Sequence, residues 1–186
     1  MLKINWFALI ALVLFIQCDF ISKDVEKTLL EQVKEQKVPK NQLKIKIYKA
    51  NRRMEVYFKD KRLVTYPCVL GFAPEGDKMM EGDGKTPEGK FGIRSMYAHK
   101  NWSYFIWVDY PNGTSWERFK SRKKKGIISK SAKIGGEIGI HGVPDGSDNL
   151  IDSKTDWTLG CISLKTAHIK DLYLSISQDS KIEIYP

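Results

Sequence analysis

Residues 138–164 read IGIHGVPDGSDNLIDSKTDWTLGCISL, and this stretch decides how the rest of the chain is interpreted. A short alternating run of isoleucine and glycine leads into His141-Gly142, and Gly160-Cys161 stands at the far end, followed by further apolar residues. A polar loop rich in aspartate, serine and glycine lies between them. A histidine and a cysteine therefore sit at the two ends of one loop, and we predict that chemistry takes place there.

A cysteine and a histidine that meet in space can transfer acyl groups. A thiol of ordinary pKa, about 8.5, is mostly protonated at neutral pH, and the thiolate is the better nucleophile. A neighbouring imidazole can take that proton and later return it to a leaving amine. Because Gly160 has no side chain, substrate can approach the backbone N–H groups of Gly160 and Cys161, which would then stabilise an oxyanion. The spacing alone leaves a buried thiol and a structural histidine as the alternative.

The pattern His-Gly followed by Thr-x-Gly-Cys-Ile-x-Leu resembles the signature of the L,D-transpeptidase (YkuD-type) catalytic domain family. The likeness continues upstream in the sequences YPCVLG at residues 66–71 and GDGKTPEG at residues 82–89. The tripeptides YPN at residues 110–112 and DWT at residues 156–158 are similar to the murein-acting subgroup, in which D-W-T-x-G-C precedes the nucleophile. The resemblance covers about residues 43–186.

The resemblance implies a mainly β, YkuD-like β-sandwich with one helix after the cysteine. It implies that Cys161 is the nucleophile and His141 the general base and acid. It further implies that the backbone carbonyl of Gly142 orients the imidazole and that the backbone of Gly160 helps to hold the oxyanion. The expected substrates are the stem peptides of peptidoglycan, joined through a thioester on the cysteine, and neither a metal nor an organic cofactor is implied.

Three residues near the cysteine, Trp157, Thr158 and Ser163, are predicted from the same resemblance to bind substrate. Two positions depart from the family pattern. Leu159 stands where many members have histidine, and Ser163 stands where many have arginine or asparagine. Because serine is short and uncharged, a contact with a substrate carboxylate at this position is open, and substrate choice is expected to differ.

We divide the chain into a leader at residues 1–18, a helical stalk and linker at 19–42, and the catalytic domain at 43–186. Lys3 and the apolar run at residues 6–16 have the length and charge of an export signal rather than of a bilayer-spanning helix. Cys18 follows where a bacterial lipoprotein would be acylated, although Gln17 replaces the usual small residue. A cleaved signal or an uncleaved anchor are the alternatives. Each version predicts an exported protein of the periplasm or cell envelope, and the acylated and uncleaved versions also attach it to a membrane.

Periodicity predicts two helices and a set of strands. Apolar residues at helical spacing predict a helix over residues 22–37, and a second helix begins at Thr166 as its cap. Alternating residues predict strands, at residues 43–48, 54–59, 63–70, 91–97, 103–110 and 182–184. Residues 119–133 contain seven cationic side chains and are interpreted as a solvated loop, which provides weak, salt-sensitive attraction to anionic polymer or lipid.

The net charge of +9 and the pI near 9.3 favour an anionic partner. No nucleic-acid-binding motif is present and the basic residues are scattered, so nucleic acid is not the expected partner. Three cysteines without a close metal-binding pair leave Cys68 as a packed core thiol. Two other functions stay open: a sibling hydrolase that trims stem peptides or cleaves proteins from the wall, and a non-catalytic wall-binding lipoprotein. The sequence gives no prediction for the oligomeric state.

Overall fold

A computed structural model describes residues 26–186 of the chain. The predicted leader, including Lys3, the apolar run at residues 6–16 and the candidate lipidation site Cys18, lies outside the described residues. Within residues 26–186, no helix is both long enough and apolar enough to cross a bilayer.

Nine strands form the body of the protein. Their bounds are β1 Leu43–Tyr48, β2 Arg53–Phe58, β3 Lys61–Val69, β4 Gly89–Phe91, β5 Ile93–His99, β6 Ser103–Val108, β7 Gly139–Gly142, β8 Ile162–Leu164 and β9 Lys181–Tyr185. They are hydrogen-bonded in the order β4-β9-β1-β2-β3-β8-β7-β6-β5. The pairs β1–β9 and β7–β8 are parallel, and the other neighbours are antiparallel.

The strand β3 belongs to both halves of the sheet. Most of β3 pairs with β2, whereas Cys68 and Val69 at its end pair with β8. One continuous hydrophobic core joins the two halves, because it contains Ile45 of β1 as well as Ile140 of β7 and Ile162 of β8. The prediction of a mainly β, sandwich-like fold is therefore confirmed.

The first half of the sheet has two ends, which matter for the position of the site. Strands β1, β3 and β9 run in the same direction, opposite to β2. They begin at one end of the sheet, called the Leu43 end, where β3 starts at Lys61. The opposite end, called the Leu70 end, contains Leu70 directly after β3 and Gly89 at the start of β4. About 26 Å of extended chain separates the two ends of β3, at roughly 3.3 Å per residue.

Helix α1, Leu29–Glu35, lies at the Leu43 end and is shorter than the predicted helix over residues 22–37. It begins after Thr28, whose hydroxyl accepts from the N–H of Glu31 while the Glu31 carboxylate accepts from the N–H of Thr28. The Asp171 carboxylate accepts from the N–H groups of Leu29 and Leu30, both at 2.9 Å. The helix is therefore fixed to the body of the protein through its N-terminus.

The solvated loop predicted over residues 119–133 is wrong in its first part, where helix α2, Gly113–Lys124, is found. Asn112 caps this helix by accepting from the N–H of Ser115 at 3.0 Å. Phe119 is its one buried residue, so the helix has almost no apolar stripe to reveal it. The single strand predicted over residues 91–97 is also wrong, because Gly92 separates β4, which pairs with β9, from β5, which pairs with β6.

Two further helices surround the candidate site. The short helix α3, Asn149–Asp152, forms within the loop that was predicted only as polar. Helix α4, Thr166–Ser175, follows β8 as predicted, but Lys165 rather than Thr166 occupies its cap position. The N–H of Thr166 instead donates to the Asp148 carboxylate at 2.9 Å, which ties α4 to the loop before α3.

Candidate active site

The parallel pairing of β7 with β8 brings the predicted histidine and cysteine to one sheet face. Ile140 pairs with Ile162 and His141 with Ser163, so Cys161, one residue before β8, lies beside Gly139. Alternate residues of a strand point to the same face, which places Cys161 on the side of His141. Strand spacing and rise put the two Cα atoms about 8 Å apart. Both side chains can reach into the space between them.

The tautomer of His141 is set by its own backbone. Its Nδ1 lies 2.7 Å from the carbonyl oxygen of Gly142. A carbonyl oxygen only accepts hydrogen bonds, so Nδ1 carries the proton in the neutral ring. The lone pair is then on Nε2, which forms no hydrogen bond with any other described residue. The ring therefore has the tautomer that a general base needs.

Three aromatic side chains enclose the imidazole of His141. The ring of Trp102 stacks on it at a centroid distance of 4.6 Å, and Phe105, its partner across β6 and β7, lies parallel to it at 5.7 Å. Trp157 meets it edge-on at 5.7 Å and an interplanar angle of 79°. His141 is only 2% exposed, and this burial lowers its pKa to about 4. The imidazole is therefore neutral at neutral pH.

Cys161 is partly exposed, at the edge of the same face. Its Sγ donates to the carbonyl oxygen of Glu137 at 3.3 Å. No hydrogen bond joins it to His141 among the contacts of residues 26–186. Withdrawal of the sulfur from water raises the pKa of the thiol to about 11, only partly offset by the backbone of Gly139. The resting pair is therefore a neutral thiol and a neutral imidazole.

The turn before the nucleophile is held by the hydroxyl of Thr158. This hydroxyl donates to the carbonyl of Cys161 at 2.8 Å and accepts from the N–H of Gly160 at 3.1 Å. The Gly160 N–H is therefore engaged in this conformation, and its oxyanion role stays a prediction that requires this hydrogen bond to open. The Thr158 side chain is buried and holds the turn, and its contact with substrate stays a prediction.

Gly160 is required in this turn for a steric reason. Its φ of 140° lies in a region that residues with a side chain rarely adopt. A Cβ atom here would lie 2.8 Å from the carbonyl oxygen of Lys85 and 2.9 Å from Cδ1 of Ile138. The glycine-rich loop at residues 82–89 therefore packs directly against the turn that carries the nucleophile.

Arg52 and Asp156 anchor the start of this turn, and sequence reasoning gave them no role. The Asp156 carboxylate accepts from Arg52 Nε at 2.9 and 3.0 Å, from its Nη2 at 2.6 Å, and from the N–H of Leu70 at 2.8 Å. Arg52 also donates to the carbonyl of Lys49. The turn is thus attached to the Leu70 end of the sheet by a charge-assisted bidentate pair.

The other two predicted substrate-binding residues occupy different environments. Ser163 is 0% exposed and its hydroxyl has no partner among the described residues, so its contact with substrate stays a prediction that requires a change of conformation. Trp157 is half-buried with its ring against His141, and its Nε1 likewise has no partner there. Trp157 therefore forms part of the wall around the imidazole, and its contact with substrate stays a prediction.

Two exposed apolar side chains flank the nucleophile. Leu159, directly before Gly160, is 79% exposed, and Phe72 is 53% exposed. Their backbones are close, because the N–H of Phe72 donates to the carbonyl of Thr158 at 2.9 Å. The ring of Phe72 packs over Gly84, where a Cβ atom would approach it to 2.4 Å. The surface next to the Cys161 turn therefore carries two exposed apolar side chains.

Cys68 and His168 lie away from this site, whereas His99 belongs to the same aromatic cluster as His141, because both rings stack on Trp102. Cys68 is fully buried, and burial raises the pKa of its thiol to about 12, as expected for a core residue. His168 stacks on Tyr66 at 4.9 Å, and His99 stacks on the indole of Trp102 at 4.5 Å. Residues 26–186 contain no cluster of three or more histidine, cysteine or acidic side chains arranged to hold a metal ion.

Replacing Gly160 with alanine is expected to disturb the nucleophile more than an ordinary turn substitution does. Gly126 is the matched control, because it also has a positive φ, of 70°, but no atom lies within 4 Å of its Cβ position. Gly126→Ala should lower the free energy of unfolding by about 1 kcal/mol. Gly160→Ala should lower it by roughly 2–4 kcal/mol and slow alkylation of Cys161. Urea unfolding and thiol labelling measure both; equal effects of the two variants would contradict the steric account.

The comparisons with known proteins agree with this geometry. The L,D-transpeptidase catalytic domain (YkuD) family matches residues 42–184. No curated protein sequence matches the chain. Among solved structures, Bd1075 from Bdellovibrio bacteriovorus is 21% identical with a TM-score of 0.55, over 77% of this chain and 48% of that protein.

Two further structures share the fold at similar distance. The helical cell shape determining protein Pgp2 from Campylobacter jejuni is 22% identical with a TM-score of 0.55, over 76% of this chain and 46% of Pgp2. An Enterococcus faecium L,D-transpeptidase is 15% identical with a TM-score of 0.50, over 77% of this chain and 50% of that enzyme. The chain thus spans about half the length of these proteins. On the match over residues 42–184, the chain belongs to the YkuD family of L,D-transpeptidase catalytic domains.

Proposed function

We propose that the protein is a cysteine-dependent L,D-transpeptidase that forms cross-links between peptidoglycan stem peptides. The observation that carries this proposal is the position of His141 beside Cys161 on one sheet face, with Nδ1 held at 2.7 Å from the Gly142 carbonyl. A base with its lone pair on Nε2 and a thiol on the adjoining strand are the two groups that acyl transfer requires. Membership of the family supplies the class of substrate.

The first step activates the thiol. In the resting state the Cys161 thiol points to the Glu137 carbonyl, so it must rotate toward His141 before its proton can leave. Nε2 of His141 takes the proton as the sulfur attacks the carbonyl carbon of the third stem residue, whose bond joins an L-centre to the terminal D-residue. Because both groups are neutral at rest, this transfer creates charge only as the substrate reacts.

The charged intermediate then needs stabilisation on both sides. The Cys161 N–H is available to the oxyanion, since no described residue accepts from it, whereas the Gly160 N–H is bonded to Thr158. The imidazolium lies against the face of Trp102, where a cation is attracted to the π electrons. Collapse of the intermediate breaks the C–N bond, and Nε2 returns its proton to the departing amine.

The acceptor determines the product of the second step. The amine of a second stem peptide attacks the thioester, His141 takes its proton, and the sulfur leaves as a thiol to give a 3–3 cross-link. Water in place of the amine gives a shortened stem, which is the reaction of an L,D-carboxypeptidase, and the same chemistry would release a wall-bound protein.

The substrate class also determines where the protein works. Peptidoglycan lies outside the cytoplasm, so the proposal requires export, which agrees with the leader expected at residues 1–18. We propose a periplasmic or envelope location with attachment to a membrane through that leader. The metal-independent chemistry of the pair requires no cofactor.

Cys161→Ala should abolish turnover. Purified full-length protein is incubated with disaccharide tetrapeptides, and the products are separated and weighed by mass spectrometry. Wild type should give dimers and a thioester adduct on the intact protein, whereas Cys161→Ala should lose at least about 10³-fold in rate. Cys68→Ala is the matched control and should keep its rate, because that thiol is fully buried. Tripeptide without dimer would indicate the hydrolase, and sacculus binding without any product would indicate the binding lipoprotein.

The pH dependence of thiol alkylation distinguishes a neutral resting pair from a thiolate–imidazolium pair. Below a thiol pKa of about 11, the thiolate fraction rises tenfold per pH unit, so the rate with iodoacetamide should increase steadily from pH 6 to pH 10. An ion pair would instead give a plateau across neutral pH. All proteins in this measurement carry Cys18→Ala, and the added Cys161→Ala change measures background labelling, which should be negligible because Cys68 is inaccessible.

A further inference from the structure

Helix α2 and the segment after it form a basic surface, which the catalytic mechanism does not use. We define the α2 basic surface by one aromatic and five cationic side chains: Trp116, Lys120, Lys124, Lys125, Lys130 and Lys133. All six are exposed, and Trp116 is 43% exposed. None of the five lysines donates from its side chain to a described residue or forms an ion pair with one. Glu117 is the one acidic residue of α2.

Stabilisation of helix α2 does not account for the positive charge of this surface. Cations in the last turn stabilise a helix through its dipole, which accounts for Lys124. Lys120 lies one turn earlier, and Lys130 and Lys133 lie beyond the helix, so they gain nothing from that effect. By contrast, Arg122 of the same helix is bonded to Asp77 at 2.6 Å and to the carbonyl of Lys78 at 2.8 Å. The charge of Arg122, on the side of α2 that packs against the protein, is thus neutralised, whereas the charges of the exposed lysines are not.

The α2 basic surface adjoins the candidate active site through the glycine-rich loop. The carbonyl of Lys133 accepts from the N–H of Glu81 at 2.8 Å, and the carbonyl of Lys85 lies against Gly160. The chain then runs from Lys133 to Glu137, whose carbonyl accepts from the Cys161 thiol. A long polymer with one segment at Cys161 would therefore reach the lysines with an adjoining segment.

The position in the sheet shows which side of the protein this surface faces. Arg118 of α2 donates to the carbonyl of Glu88 at 2.9 Å, directly before β4 at the Leu70 end. Helix α1, which follows the predicted leader, lies at the Leu43 end, where Gln32 donates to the carbonyl of Leu63 at 2.8 Å. About 23 Å of extended strand separates Leu63 from Leu70. Helix α1 and the α2 basic surface therefore lie at opposite ends of this half of the sheet.

We infer that the α2 basic surface is a docking site for the peptidoglycan strand beyond the reacting stem peptide. Free stem carboxylates would pair with the lysines, and the exposed indole of Trp116 would pack on the apolar face of a sugar ring. This inference rests on the proposed function, because it extends the substrate from one stem peptide to a polymer. Such a contact increases affinity for intact wall but leaves the chemistry at Cys161 unchanged.

The test compares two charge-matched variants of the full-length protein. The first carries Lys120→Glu, Lys124→Glu and Lys125→Glu. The control carries Lys34→Glu, Lys170→Glu and Lys181→Glu, three exposed lysines outside the α2 basic surface. Thermal unfolding establishes that both are folded. Co-sedimentation with purified sacculi measures binding, and turnover of soluble disaccharide tetrapeptides measures the chemistry.

The first variant should bind sacculi about tenfold more weakly than wild type and turn over soluble tetrapeptides within about twofold of it, while the control matches wild type in both. This difference in sacculus binding between the first variant and wild type should be seen at about 0.01 M salt and be lost at about 1 M salt, because the Debye length falls from about 30 Å to about 3 Å. Trp116→Ala should weaken binding at both salt concentrations, because packing on a sugar ring is not screened.

Equal losses in the two triple variants would overturn the inference, because net charge alone would then explain them. A loss seen only with vesicles of anionic phospholipid, and not with sacculi, would also overturn it. If wild type binds sacculi through this surface but gives no product from tetrapeptides, the docking site stands and the proposed transpeptidase activity fails.

Discussion

The hydrogen bond between His141 Nδ1 and the Gly142 carbonyl is the interaction on which the candidate site depends. It fixes the tautomer of a ring that burial keeps neutral, and it leaves Nε2 as the only free base. The packing around this bond needs a glycine at position 142, because a Cβ atom there would lie 2.7 Å from the carbonyl of Trp102. The same absence of a side chain lets the strand approach Trp102, whose indole covers the imidazole. One pair of residues thus sets both the basicity and the enclosure of the site.

Whereas His141 lies within a strand, Cys161 follows a turn that contacts the rest of the protein at several points. Asp156 ties its start to Arg52 and Leu70, Thr158 closes it with two hydrogen bonds, and Gly160 lets the glycine-rich loop press on it. The histidine is therefore rigid because it lies within the sheet, whereas the cysteine is rigid because its turn is braced. The thiol itself keeps one rotation, from the Glu137 carbonyl toward the imidazole.

Local patterns in the sequence predicted the features that are determined by residues close together in the chain. The alternating strands, the helix after Cys161 and the His-Gly and Gly-Cys pairs all belong to this class. Contacts that depend on folding were missed: Arg52 and Asp156 are 104 residues apart, and no spacing connects them. The hydrogen bonds of the Thr158 hydroxyl to Cys161 and Gly160 were missed as well, because they form only when the turn folds. Helix α2 was missed because Phe119 is its only buried residue.

The tautomer and charge of His141 test the central claim most directly. Nitrogen NMR of protein with ¹⁵N-labelled histidine distinguishes Nδ1–H, Nε2–H and imidazolium, and His141→Gln assigns the signal among the three histidines of the chain. The account predicts a neutral ring protonated on Nδ1 from pH 5 to pH 8, with protonation of Nε2 only near pH 4. A ring protonated on Nε2, or an imidazolium at pH 7, would contradict it.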